Sequence, residues 1–264
     1  MNAQITSNDL QQKITGYLEE LAHETDLARK SEEMQKYLDF VARFHNYSPS
    51  NIFLIMLARP DASQVMGYQA WKQVGRFVKK GEKGIPIFAP MIRKEDPDDD
   101  NSPKVLHGFR VVYVFDVGQT DGEQLPLMPD WKSPEKNAEL TEKLIRFAES
   151  KGITVTIKEL IGETQGISKG GAIEISPNAG IKTLIHEVAH ELMHQKEIEY
   201  SCRKIKEIEA EAVAFSIARY FGVGGLKSPN YVALNGVDAQ ELKSRMENLQ
   251  TIITEIITGI ECNV

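Results

Sequence analysis

The segment Leu184-Ile-His-Glu-Val-Ala-His-Glu-Leu-Met-His194 holds the residues best suited to chemistry. His186 and His190 are four apart. On a helix that spacing sets both imidazoles on one face, one turn apart, where they can share a tetrahedral cation. Glu187 stands beside them, positioned to take a proton from a metal-activated water and deliver it to a leaving amine. The expected cation is Zn2+, which lowers the pKa of its water toward ~7. Ile181, Leu184, Ile185, Val188, Ala189 and Leu192 surround this polar trio. Burying two histidines and a glutamate among such neighbours is costly unless something satisfies them, and a metal satisfies all three. His194 continues the face by one more step. It reads as a supporting or surface histidine, because catalytic zinc keeps its fourth position open.

A third ligand should be a carboxylate further along. Lys206-Glu-Ile-Glu-Ala-Glu-Ala-Val-Ala214 offers Glu207, Glu209 and Glu211. Glu207 and Glu211 share a helix face, whereas Glu209 points elsewhere and reads as an exposed charge. One of the pair can ligate the metal while its partner four residues on orients a histidine. Glu207, nearer the helix start, is assigned as the ligand and Glu211 as the orienting group.

A second cluster lies between Arg59 and Lys94. Eight basic residues (Arg59, Lys72, Arg76, Lys79, Lys80, Lys83, Arg93, Lys94) stand against two acids, Asp61 and Glu82, in a chain of net charge −7. Tyr68, Trp71 and Phe77 interleave with them. Cations neutralise phosphates, and exposed aromatics stack on unpaired bases without needing a sequence. The cluster therefore reads as a groove for single-stranded DNA formed by Arg59, Tyr68, Trp71, Lys72, Arg76, Lys79, Lys80 and Lys83. The competing reading puts Trp71 and Phe77 in the core and the lysines on a solvated face. Lys79-Lys-Gly-Glu-Lys-Gly84 is Gly-rich and basic but lacks the spacing of a P-loop.

Helical periodicity predicts elements over 7–28, 31–44 and 52–58, and β-forming runs predict strands over 85–93 and 105–115. The run Glu95-Asp-Pro-Asp-Asp-Asp100 between those strands predicts a hairpin with a solvated loop. Pro126, Pro129 and Pro134 mark a composition break. Beyond it come a helix (138–150), two strands (153–158 and 171–176) and three helices (178–195, 203–221 and 238–258). The strand 171–176 precedes the metal helix and could accept an extended peptide at a sheet edge. The expected architecture is α+β in two domains: 1–127 with a β-hairpin, and 138–264 of zincin type, joined by a linker over 128–137.

The bulk properties set bounds. A chain of 264 residues with 41% hydrophobic and 26% charged residues has ample material for a core. Its acidic balance argues against a protein that coats nucleic acid over its whole surface. Two cysteines, Cys202 and Cys262, do not make a disulfide framework and fit a reducing compartment. The start of the chain lacks the apolar core of a secretory signal, and no stretch is long and apolar enough to span a membrane. A cytoplasmic protein with no membrane partner is expected.

Residues 180–222 resemble the ImmA/IrrE-like zinc metallopeptidases, and more closely the peptidase domain of ArdC-type antirestriction proteins. The resemblance rests on Thr183-Leu-Ile-His-Glu-Val-Ala-His190 and Glu207-Ile-Glu-Ala-Glu-Ala-Val-Ala214. It implies the same ligand, Glu207, with Glu211 standing where the ImmA form has Asn or Asp. The first domain resembles the ArdC N-terminal domain through Asn51-Ile-Phe-Leu-Ile, Arg59-Pro-Asp-Ala, Gly67-Tyr-Gln-Ala-Trp71 and Gly75-Arg-Phe-Val-Lys-Lys-Gly-Glu-Lys-Gly84. That likeness implies binding of single-stranded DNA and an antirestriction role on a mobile element, with a protein or peptide as substrate of the zinc centre. Two alternatives stand beside it: an ImmA-like protease that cleaves a repressor, and a non-catalytic DNA-binding protein with a structural zinc.

Overall fold

The computed structural model describes residues 5–95, 102–125, 134–194, 203–223 and 237–262. The chain divides into two compact units, Met1–Glu19 with Tyr47–Pro126, and Glu20–Asn46 with Leu127–Val264. The expected halves differ from these units mainly in residues 20–46, which group with the second. Most of the proposed linker, 128–133, lies outside the described residues. Its last part is already helical, because Pro134 opens a helix, a position where its missing N–H costs nothing.

Helix α1 (Ser7–His23) ends before the limit expected from periodicity, and α2 (Leu27–Phe44) starts earlier. Asp26 is the cause. Its carboxylate accepts from the amides of Ala28 and Arg29, which caps a new helix where one long helix ending at 28 was expected.

In the first unit, Leu10, Ile14 and Leu18 of α1 are buried, and Tyr17 meets Phe53 of α3 (Pro49–Ala58). Ser48 caps α3, with Pro49 as its first residue. The sheet has strand order β1-β4-β3, from β1 (Val65–Gly67), β3 (Ile85–Lys94) and β4 (Lys104–Asp116). β3 and β4 form the expected hairpin. Asn51 fastens α3 to it by donating to the Phe88 carbonyl and accepting from the Phe88 amide. The short helix α4 (Tyr68–Gln73) and a two-stranded ribbon of β2 (Arg76–Val78) and β5 (Thr120–Gly122) complete the unit. Periodicity had not marked these short pieces.

In the second unit, α5 (Pro134–Ser150) precedes a three-stranded sheet of β6 (Thr154–Ile157), β7 (Gly166–Ser168) and β8 (Ala172–Ile175). The strand order is β6-β8-β7, with β6 parallel and β7 antiparallel to β8. Helices α6 (Ile181–His194) and α7 (Arg203–Tyr220) pack against each other, and α6 also lies on β7 and β8. Helix α8 (Ala239–Cys262) packs on α5 and α7. α2 joins this group: the Tyr37 hydroxyl donates to the Met246 carbonyl, and Arg219 pairs with Asp39. The whole is a mixed helix-and-sheet fold. No helix among the described residues is long and apolar enough to cross a membrane.

Candidate metal centre

The buried face of α6 (Leu184, Ile185, Val188, Ala189) fixes the direction of its polar residues. His186 and His190 turn toward α7, and their Nε2 atoms are 3.0 Å apart. Glu207 Oε2 lies 3.4 Å from the first and 3.6 Å from the second. Tetrahedral zinc with bonds of ~2.0–2.1 Å holds its ligand atoms roughly 3.3–3.4 Å apart, so the donor set and its spacing fit that ion. Two neutral imidazoles and a carboxylate are also the ligand types zinc takes. These three are the residues that could hold a cation among those described. They line a cavity of about 490 Å³ together with Gly166, Glu187 and Arg203.

Glu211 sits one turn beyond Glu207. Its Oε2 is 3.5 Å from His186 Nδ1, and Lys182 donates to its Oε1. At 3.5 Å the first is a charge contact rather than a formed hydrogen bond, since His186 Nδ1 otherwise lacks a partner. His186 and Lys182 together hold the Glu211 carboxyl down at about 2, against the effect of burial. Burial pushes the His186 imidazole down, but Glu211, with Glu187 and Glu207, overrides it and raises the imidazole above its ordinary value.

Glu187 lines the same cavity and lies against β7. Burial pushes its carboxyl up, opposed by His186 and helped by Glu207 and Glu191. The strand passes so close that a Cβ on Gly166 would meet Glu187 Cγ and Oε1 at 2.8 Å. A side chain there would crowd Glu187, so glycine suits the position for contact rather than for backbone angle.

Glu191 is a site residue that sequence reasoning missed. It is buried, and it accepts from the Ser168 hydroxyl (2.6 Å) and the amides of Lys169 (2.9 Å), Gly170 (2.8 Å) and Gly171 (2.5 Å). These donors outweigh the burial and lower its carboxyl below the usual range. One carboxylate thus ties the turn between β7 and β8 to the metal helix. The signal was present as Ser168-Lys-Gly-Gly171 and as a second i,i+4 pair, Glu187/Glu191.

Three expectations are corrected. Strand 172–175 is central, paired on both sides, so it cannot take an added peptide strand; β7 is the edge beside Glu187. Glu209 is not an exposed charge. It is buried and paired with Arg245 of α8 at 2.7 Å, which leaves it no metal role. In the first unit, Trp71 is 0% exposed and its indole donates to the Phe115 carbonyl, so it is core and cannot stack on a base. The side chain of His194 lies outside the described residues.

The remaining basic residues divide by engagement. Arg76 donates to Thr120, Gly122 and Glu123, which commits its guanidinium to holding the β2–β5 ribbon. Arg59 faces Asp61 and Asp116. Lys79 binds the Gly118 carbonyl and pairs with Asp121. Lys80 and Lys83 are exposed, and Lys72 lies 4.7 Å over the exposed Tyr68 ring.

The family model for the N-terminal domain of anti-restriction factor ArdC matches residues 6–150, more than half of the chain. The chain belongs to the ArdC family. The match spans the hairpin unit and ends with α5, so the candidate ligands His186, His190 and Glu207 lie beyond it. An uncharacterized Bacillus anthracis protein, pXO2-81, is 25% identical over 288 residues, covering 87% of this chain and 48% of that protein. The chain thus spans about half the length of this curated relative. The Mn(II)-bound crystal structure of antirestriction ArdC protein from R388 plasmid aligns over 86% of this chain and 97% of its own, with a TM-score of 0.50 at 17% identity. The metal-free crystal structure of the same protein covers 81% and 83%, with a TM-score of 0.47 at 20% identity. At these identities the likeness to the Mn(II)-bound structure speaks to the ArdC fold.

Proposed function

We propose that this chain is an antirestriction-type protein of a mobile element that binds single-stranded DNA through its first unit and carries a zinc-dependent, ImmA/IrrE-like metallopeptidase centre in its second. The observation that carries the peptidase reading is the convergence of His186, His190 and Glu207 at ligand spacing, with Glu187 beside them. The related R388 protein has a Mn(II)-bound form, which supports divalent-cation binding here and makes manganese the cation to test against zinc.

When bound, the cation would supply Lewis acidity that brings water ionisation near neutral pH. His186, His190 and Glu207 would hold it. Glu187 would take the proton of the attacking water and pass it to the departing amide nitrogen; burial raises its carboxyl toward the range a general base needs. The open edge of β7 could align an extended peptide by strand addition. Glu191 would keep that edge in register with Glu187.

The test measures zinc and manganese binding and hydrolysis of a denatured-protein substrate, for wild type, Glu187→Gln and His190→Ala. The reading expects cation binding by wild type and Glu187→Gln, weak binding by His190→Ala, and hydrolysis by wild type alone. Equal hydrolysis by Glu187→Gln would refute it. For the first unit, affinity for an oligonucleotide should fall steeply with salt.

A further inference from the structure

The hairpin carries a row of aromatic side chains that its own fold does not bury. Facing residues of an antiparallel ladder point to the same side. The register Pro86↔Tyr113, Phe88↔Val111 and Pro90↔Phe109 therefore gathers Tyr113, Phe88 and Phe109 on one face of β3–β4, opposite the face of buried Ile85, Ile87 and Val114. Phe109 is 53% exposed and Tyr113 46%. Phe109 stands edge-on to Phe88, with ring centres 6.3 Å apart. Phe115, next on the same face, meets Tyr68 at 6.4 Å, and Tyr68 is itself 46% exposed. Large side chains seldom lie open in a row on a soluble protein unless the patch binds something.

Charge selects the occupant. The basic loop 79–84 borders this face: a Cβ on Gly84 would meet Tyr113 Cβ at 2.8 Å and Phe115 Cζ at 3.0 Å. The loop carries the exposed Lys80 and Lys83. Lys72 covers the Tyr68 ring, which meets Phe115 beside that loop. Rings flanked by cations are the composition of a single-strand platform, in which bases stack and phosphates meet lysines. Phe109 and Tyr113 stand four residues apart on one strand, about 13.6 Å at ~3.4 Å per residue and far beyond the ~3.4 Å rise of stacked bases in duplex DNA, so the row suits splayed bases rather than a duplex.

We infer that unpaired bases stack on the Phe109–Tyr113–Tyr68 face of the hairpin, with Lys72, Lys80 and Lys83 on the phosphates. This rests on the single-stranded-DNA reading above and moves its base contacts away from Trp71.

The test is fluorescence anisotropy with a labelled twenty-residue oligothymidylate across a salt series, for wild type, Phe109→Ala, Tyr113→Ala, Phe109→Tyr and Lys80→Ala, each with its melting temperature. The inference expects Phe109→Ala and Tyr113→Ala to weaken binding about ten-fold or more with an unchanged salt slope, and Phe109→Tyr to retain it. Lys80→Ala should reduce the slope by about one. Wild-type affinity in both alanine variants would overturn the inference and leave the DNA reading standing. No binding by wild type at low salt would remove both. A concentration-dependent dimer in sedimentation that Phe109→Ala dissociates, with DNA affinity unchanged, would also overturn it by assigning the face to a second copy.

Discussion

Glu211 Oε2 stands 3.5 Å from His186 Nδ1, on the side of the imidazole away from His190 and Glu207. A carboxylate there orients the ring and raises its basicity, and removing such a partner typically weakens metal binding ~10–100-fold. Glu211→Ala is expected to fall in that range in a zinc titration against a chromophoric chelator. Unaltered affinity would mean that Lys182, not the histidine, is the real partner of Glu211.

Glu209, two residues before, should behave in the opposite way. It is buried against Arg245, which also holds Glu241. Breaking a buried pair from one side costs about 3–5 kcal/mol, and here the low end applies because Arg245 keeps Glu241. Glu209→Ala is expected to lose about 3 kcal/mol in urea denaturation at unchanged zinc affinity. A stable variant with poor zinc binding would reverse the roles assigned to 209 and 211.

Gly166→Ala probes the contact between β7 and Glu187. The added methyl group would press on Glu187 and on Thr183 Cγ2, the latter at 3.0 Å. Overpacking of this kind costs about 1–3 kcal/mol. The added methyl would meet Glu187 and Thr183 but none of the three candidate ligands, so zinc affinity should hold while turnover drops at least about ten-fold, as for loss of general-base geometry. Full turnover would show that Glu187 can work from another rotamer.

Lys30 is a charge without a good reason for its position. It is 1% exposed, and its ammonium has the Ala22 carbonyl at 3.4 Å. Burial lowers its pKa, only partly offset by Glu24. A lysine with a lowered folded pKa destabilises below that pKa. The penalty fades as pH rises from the folded pKa toward the unfolded value of ~10.4. Lys30→Met is therefore expected to raise the melting temperature by about 2–4 °C at pH 7, corresponding to roughly 1 kcal/mol. The gain should shrink as pH rises toward the unfolded value of ~10.4. A gain that grows with pH would contradict the sign.

What the sequence made legible follows the range of the interactions involved. The pairs His186/His190 and Glu207/Glu211 could be read because each lies within one helix, where three- and four-residue spacing fixes direction; the meeting of the two pairs across α6 and α7 lay beyond any such spacing and was implied by the family resemblance. The long strands 85–94 and 104–116 were legible for the same local reason. Trp71 was not, because only the carbonyl of Phe115, forty-four residues away, decides that its indole is buried. Glu209 was misread because the helix that covers it begins at Ala239. The role of strand 172–175 depended on sheet order, which a three-residue strand at 166–168 determines and no periodicity reveals.

Helix α6 presents two interleaved pairs, His186/His190 toward α7 and Glu187/Glu191 toward β7 and its turn. A helix advances about 100° per residue, so any change of length turns every later side chain by that angle. One residue inserted or deleted between Val188 and Ala189 would swing the second member of both pairs off target at once, severing the cation cage and the strand anchor together. Exchange of Val188 for a similar apolar side chain would leave both intact. In this stretch the length of the chain is more tightly constrained than its composition, and mutational drift in the family should show substitutions here but no change of length.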